Sequence, residues 1–422
     1  MPRTRLPRRH RRPVPILLFL LVSVPAVACG SVAPGSLAPG SATLPATPSQ
    51  TSVQTAEPGS AGPTPQPTVT CAAATLDAMT EEQRIGQLFL LGIDGDKLSA
   101  EETAAFATYH FGSAWLVNWR TRGVDGVRPL ANEIQALATA STTDGVPFFV
   151  GADQEGGKVQ RITGPGFSTI PSATKQGALS PEILQSDAET WGRELRAAGV
   201  NLNFAPVMDV VPPGADTTNA PIGALQREFG HDPATVGSHG VAVVRGMQQA
   251  GVATTLKHFP GLGRVVGNTD TTAGVVDSVT TADDPYLEAF RAGIGAGAPM
   301  VMVSLATYTA IDPNRQAVFS PTIIEDLLRK QLGFDGVVVS DDLGAAASIA
   351  ATPAGGRAVG FIAAGGDLIV VAGTAPAVEM AAAVSKRAAS DAGFRAQVDA
   401  AALRVLRAKS SYGLLACGSV AA

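Results

Sequence analysis

Residues 336–343 read Gly-Val-Val-Val-Ser-Asp-Asp-Leu. Three β-branched residues in succession favour an extended strand. An unbroken apolar run suits a parallel strand covered on both faces. Asp341 and Asp342 follow at once, so two charges abut a buried run. Seven other apolar runs occur, at 87–93, 112–118, 147–152, 201–207, 253–258, 300–305 and 367–372. Between them lie helical signatures, among them 181–198, 233–249, 284–294 and 321–331, the first introduced by the cap signal Ser180-Pro-Glu. Eight strands alternating with helices imply an α/β fold of the (β/α)8 type, a single TIM-type barrel. A doubly wound open sheet is the alternative, and the absence of GxGxxG after the first strand counts against it.

In such a barrel the functional residues sit at the C-terminal ends of the strands. The polar residues fall there. Asp153-Gln154-Glu155 follows the third run, Asp209 closely follows the fourth, Lys257-His258 closes the fifth, and Asp341-Asp342 follows the seventh. Charges beside buried strands are costly unless paired or used. Adjacent residues on a strand point to opposite sides. Asp341 is therefore the candidate nucleophile, base or ligand, and Asp342 the better candidate for a structural cap. In Asp153-Gln-Glu-Gly-Gly-Lys-Val-Gln-Arg161 the glycine pair permits a tight turn over a ligand, with Asp153 and Arg161 as acceptor and donor fork for hydroxyls. The glycine-rich stretch after Lys257-His258 lacks the Gly-Lys-Ser/Thr of a phosphate loop. The five histidines show no metal-ligand spacing, so neither a metal nor a cofactor is expected.

The chain has 422 residues, 45% hydrophobic and 16% charged, which excludes a disordered, collagen-like or coiled-coil protein. Residues 1–28 hold six arginines and no acid. The remainder carries 25 basic against 36 acidic residues, which disfavours nucleic acid as a partner. The basic start, the uncharged run from Pro13 to Ala28 and the small residues before Cys29 read as an export signal. They resemble a lipobox with Cys29 as the lipidated residue; an ordinary signal peptide cut after Ala28 is the other reading. A lipid anchor would hold the chain at the cell envelope, on the outer face of the cytoplasmic membrane. Residues 29–70 hold little besides Ser, Pro, Thr, Gly, Ala, Val and Gln, with Glu57 the one charge. They read as a tether, leaving 71–422 as the barrel domain, expected to be monomeric. Cys71 and Cys417 flank that domain and suggest a disulfide joining its two ends, with two separate thiols as the alternative.

Five segments together, DQEGGKVQR (153–161), NLNFAPVMDV (201–210), REFG from Arg227, KHFPGLG (257–263) and LLRKQLGFDGVVVSDDLG (327–344), resemble glycoside hydrolase family 3. The likeness is to its single-barrel β-N-acetylhexosaminidase branch and runs from about Leu76 to Leu415. It implies that Asp341 is the nucleophile of a retaining glycosidase. It also implies that Asp153, Arg161, Arg227, Lys257 and His258 hold the sugar hydroxyls. Lys257 and Arg227 are expected to keep Asp341 ionised. The implied substrates are glycans containing N-acetylglucosamine, here terminal residues of cell-wall muropeptide fragments. Another exo-β-glycosidase, such as a β-glucosidase, and a non-catalytic glycan-binding lipoprotein are the alternatives.

The sequence departs from the branch at its acid/base. The branch carries an Asp-Ser-His triplet on the loop after KHFPGHG; here the triplet is Asn268-Thr269-Asp270, and Leu262 replaces the histidine of PGHG. Asp270 is read as the general acid/base, assisted by Asn268. An ionised Asp270 would repel phosphate, so hydrolysis is expected over phosphorolysis.

Overall fold

The computed structural model describes residues 67–415. Cys29 and Cys417, with the export and lipidation readings, lie outside the described residues. Cys71 is disulfide-bonded.

Eight parallel strands form the barrel: β1 (Phe89–Ile93), β2 (Ser113–Leu116), β3 (Phe149–Ala152), β4 (Leu202–Asn203), β5 (Ala253–Phe259), β6 (Met300–Val303), β7 (Val337–Ser340) and β8 (Ile369–Val371). Each pairs with its sequence neighbour from β1 to β7, and β8 pairs with β1. A parallel bridge between Val339 and Leu368 closes the ring between β7 and β8. The eight expected strands are therefore present. The fourth is much shorter than the run 201–207 suggested. Pro206 has no N–H to give to a ladder, and the Ala205–Pro206 bond is cis. Carbonyls of Ala205 and Pro206 still accept from Thr255 and Lys257 at 3.0 and 3.2 Å, so β5 stays docked along the segment.

The helices form where caps and periodicity coincide. Ser180 caps Pro181–Ala197, and Asp232 caps Pro233–Gln249 through its bond to the Thr235 N–H at 2.8 Å; proline holds the first helical position in both. The side chains divide with a period of two. Leu90, Phe149, Leu202, Phe204, Met300, Met302, Val337, Val339, Leu368 and Val370 fill the barrel interior. Their neighbours Leu91, Val150, Val301, Val338 and Ile369 pack outward against the helices.

The floor of the barrel is closed by the last helix, Ala392–Ser411. Its Val405 and Ala408 join the interior cluster, with Tyr412 and Leu414 against it. Lys409 is fully buried there. Its Nζ donates to Gln87 Oε1 at 2.8 Å and to the Gly112 carbonyl at 2.7 Å, and it meets no carboxylate among the described residues. Burial without a counter-charge pushes the ammonium down to about 7. Between that value and the ordinary lysine value, the unfolded chain binds more protons than the folded one, so stability rises with pH across this window. Wild type should thus gain on the order of 1 kcal/mol per pH unit above pH 7 relative to Lys409→Met. Urea melts at pH 7, 8 and 9 would show it, and parallel stabilities of the two proteins would refute it.

Candidate functional site

The inward positions of the strands continue past the apolar core to the C-terminal rim. On β3 the series Phe149, Gly151 leads to Asp153. On β5, Ala253 and Thr255 lead to Lys257. On β7, Val337 and Val339 lead to Asp341. The spacing that packs the interior therefore turns these three polar side chains into the mouth. A cavity of about 380 Å³ opens there, and all eight sugar-site and catalytic candidates line it: Asp153, Arg161, Arg227, Lys257, His258, Asn268, Asp270 and Asp341.

Three of its charges, Asp153, Arg227 and Lys257, form one buried network with Glu155 behind them. Lys257 Nζ lies 2.7 Å from both Asp153 Oδ1 and Glu155 Oε1. Arg227 clamps Glu155 with two bonds, Nε to Oε2 at 2.8 Å and an Nη to Oε1 at 2.7 Å. The Trp115 indole N–H donates to Asp153 Oδ2 at 3.2 Å. Burial alone would raise the Glu155 carboxyl; Arg227 and Lys257 outweigh it and hold it at about 2. Burial would lower Lys257, but Asp153 and Glu155 hold it above its ordinary value. Glu155 had no role in the sequence reading, although it stands two residues after Asp153 in the same turn. That turn needs its glycines: Gly156 and Gly157 have φ of 107° and 56°.

His258 is oriented from behind. Its Nδ1 lies 2.8 Å from Oδ2 of the fully buried Asp209, whose Oδ1 accepts the backbone N–H groups of His258 and Leu262 at 3.2 and 2.7 Å. A carboxylate beside Nδ1 makes that nitrogen the donor and leaves Nε2 for the cavity. Asp209, fully buried behind the rim, thus fixes the tautomer and angle of the ring.

Asp341 Oδ1 accepts the Asp342 N–H at 2.8 Å. Burial, then the negative charge of Asp270, raises the Asp341 carboxyl to about 6, against the opposing pull of His258. This corrects the expectation that Lys257 and Arg227 hold Asp341 ionised: those cations are committed to Asp153 and Glu155. Asp342 also lines the cavity, and its carboxylate accepts the N–H groups of Gly344, Ala345 and Ala372 at 2.8, 3.2 and 2.8 Å. It knits the rim, as its position predicts.

Asp270 is exposed at the mouth, on a loop held at two places. Its carbonyl accepts the Ala347 N–H at 3.0 Å, and that of Thr269 accepts Ser348 N–H at 3.1 Å. These bonds tie the loop to the segment following β7. At its base Arg264 grips Asp284 with two bonds at 2.5 and 3.1 Å and lies 3.9 Å over the Tyr286 ring. Asn268 Oδ1 accepts the Asp270 N–H at 2.9 Å. Its assistance to Asp270 is thus to the backbone turn, in the manner of an Asx turn. Gly263 approaches Val210 so closely that any Cβ would strike the Val210 carbonyl, which brings the loop base against the segment after β4. Arg161 stands apart from the network. Its guanidinium carbon lies 5.0 Å over the Trp119 ring.

Residues 80–408 match the family model of the glycosyl hydrolase family 3 N-terminal domain. A β-hexosaminidase of Stenotrophomonas maltophilia K279a is 36% identical over 295 residues, 67% of this chain and 83% of that protein. A β-N-acetylhexosaminidase crystal structure from Beutenbergia cavernae DSM 12333 is 52% identical, with a TM-score of 0.77, covering 78% of this chain and 98% of that one. A family 3 β-N-acetylglucosaminidase from Paenibacillus sp. FPU-7 is 31% identical, with a TM-score of 0.71, covering 82% and 65%. The closed parallel barrel, the charged cavity at its C-terminal mouth and these likenesses agree: the chain belongs to glycoside hydrolase family 3 and is a glycoside hydrolase.

Proposed function

We propose that the protein is an exo-acting, retaining β-N-acetylglucosaminidase that removes terminal N-acetylglucosamine from cell-wall muropeptide fragments. It would act as a monomer, anchored through Cys29 to the outer face of the cytoplasmic membrane. The observation that carries the chemistry is the pairing of Asp341 at the cavity wall with Asp270 on the loop above, close enough for the charge of one to raise the other. A retaining glycosidase needs a nucleophilic carboxylate and a second acid near the leaving oxygen. The names of the similar proteins, hexosaminidases and a β-N-acetylglucosaminidase, support the sugar. The export-type N-terminus supports the cell-wall source.

In this mechanism the Asp153–Lys257–Glu155–Arg227 network and His258 grip the hydroxyls of one terminal sugar. With Oδ1 held by the Asp342 N–H, Asp341 attacks carbon 1 through Oδ2. In the reactive form the pair's one proton sits on Asp270 and Asp341 is ionised; the glycosidic carbon–oxygen bond breaks as Asp270 gives that proton to the departing oxygen. Asp270, now a carboxylate, takes a proton from water as that water attacks carbon 1. The glycosyl–Asp341 bond breaks, the sugar leaves with its configuration retained, and both carboxyls return to their starting states.

Replacing Asp341 by Asn should lower kcat by about 10³-fold or more on every substrate. A fluorinated N-acetylglucosamine derivative that keeps its acetamido group and bears an activated leaving group should label the peptide containing Asp341, identified by mass spectrometry. Label on another residue, with product still forming, would overturn the assignment. A panel of aryl N-acetylglucosaminide and aryl glucoside decides the sugar.

The raised Asp341 carboxyl sets the acid limb of kcat/KM, since only the ionised form attacks. Read with a dinitrophenyl glycoside, whose departure needs no proton from Asp270, that limb is expected near pH 6. Asp270→Asn removes a like charge, so the limb should move to lower pH when read with that glycoside. The same variant should lose far more rate on poor leaving groups than on good ones. Equal losses on both would remove Asp270 from the role of proton donor. In phosphate buffer the wild-type product should be the free sugar, because ionised Asp270 repels an incoming anion. Glycosyl phosphate as the main product, seen by phosphorus NMR, would contradict this.

A further inference from the structure

The two arginines of the cavity are held by different means. Arg227 is locked by two bonds to Glu155 and a third to the Pro221 carbonyl at 2.9 Å. Arg161 has no carboxylate within ion-pair distance among the described residues, and its buried Nε meets no partner there. What faces its guanidinium is the Trp119 ring, 5.0 Å away. The backbone makes this contact rigid. The Arg120 N–H donates to the Arg161 carbonyl at 2.7 Å, and the Thr163 N–H returns a bond to the Arg120 carbonyl at 2.8 Å. Trp119, next to Arg120, is thereby pinned beside Arg161. Its side chain is 54% exposed, so little of it serves the core.

The strand order gives the contact a direction. In the closed ring of eight, β3 and β7 stand opposite each other. Asp341 follows β7; Arg161 follows β3, and Trp119 follows the adjacent β2. In a pyranose, carbon 4 lies across the ring from carbon 1. A sugar with carbon 1 at Asp341 therefore presents its carbon-4 hydroxyl to the side of the mouth held by Arg161 and Trp119.

We infer that Trp119 is a positioning residue for sugar specificity: its indole face sets the Arg161 guanidinium against the carbon-4 hydroxyl of the terminal sugar. The inference rests on the proposed attack at carbon 1 by Asp341. Guanidinium on indole is an attractive pair through the ring quadrupole, and it fixes the plane of the fork without consuming its donors. An ion pair would consume them, as Glu155 does for Arg227. Trp119 acts through Arg161 and touches neither the nucleophile nor the acid.

The test compares wild type, Trp119→Phe and Trp119→Ala on the aryl glycosides of N-acetylglucosamine and of N-acetylgalactosamine, its carbon-4 epimer. Trp119→Ala should raise KM for the glucosaminide about tenfold, with kcat changed less than about threefold. Its preference between the epimers should fall about fivefold, while Phe retains most of both properties and the Tm values stay together. A wild-type KM and epimer ratio in Trp119→Ala would overturn the inference. So would equal losses on both epimers. Should wild type prefer the aryl glucoside, the proposed sugar falls, and the variants are judged by the same criterion on glucoside and galactoside. Should wild type cleave no glycoside, the proposed activity falls, and calorimetric affinities for the two free epimers supply the ratio that decides on Trp119.

Discussion

Two-residue alternation along parallel strands governs this molecule. It first sorts the apolar residues, sending Val337 and Val339 into the barrel and Val338 out against the helices. Carried one step further, it delivers Asp341, and likewise Lys257 and Asp153, to the same interior where solvent begins. A slip of one residue on any of these strands would aim the polar side chain into the helical shell. The site therefore inherits its geometry from the register of the core. The electrostatic demands come from the same fact, because groups on the inner wall are stripped of water. Lys257 satisfies that demand by sitting 2.7 Å from two carboxylates. Asp341 has no lysine or arginine within ion-pair distance among the described residues and keeps a raised affinity for its proton.

That contrast divides the labour of the cavity. The side of the mouth near β3 to β5 is a compensated lattice of opposite charges, stiff and strongly hydrogen-bonded. The side near β7 holds carboxyls that repel one another. Under the proposed mechanism, binding and reactivity thus occupy opposite walls of one opening. The loop carrying Asp270 bridges them, fixed at its base by Arg264 on Asp284 and Tyr286 and near its tip by main-chain bonds to Ala347 and Ser348.

Much of this was legible in the sequence. Eight apolar runs gave eight strands, and the polar residues that ended them gave Asp153, Lys257, His258 and Asp341 of the cavity, because both signals are local; Arg161, Arg227, Asn268 and Asp270 come from loops. The length of the fourth strand was misjudged where Pro206 interrupts the ladder without interrupting the apolar run. The charge around Asp341 was misjudged for a different reason. Lys257 and Arg227 are near it in the motif list, but Glu155 and Asp153 reach them first, and such competition is decided by distances no spacing reveals. Glu155 stands in the sequence only as a rim charge, and Trp119 and Lys409 carry no signal there: each acquires its meaning from a partner on another strand or helix. The resemblance of the motifs to family 3 supplied the sugar-site roles that residue types alone left open.

The sealed floor has one more consequence. The apolar side chains packed inside the cylinder rest on Val405 and Ala408, so a ligand in the cavity meets packed core below it and leaves by the mouth. A ligand lodged deepest is then the last to depart. The aglycone, nearer the threshold, has to vacate before water can follow it inward, and the trapped monosaccharide exits behind. Under the proposed mechanism, ordered release would be a property of the architecture itself, set by a packed interior that takes no part in the chemistry.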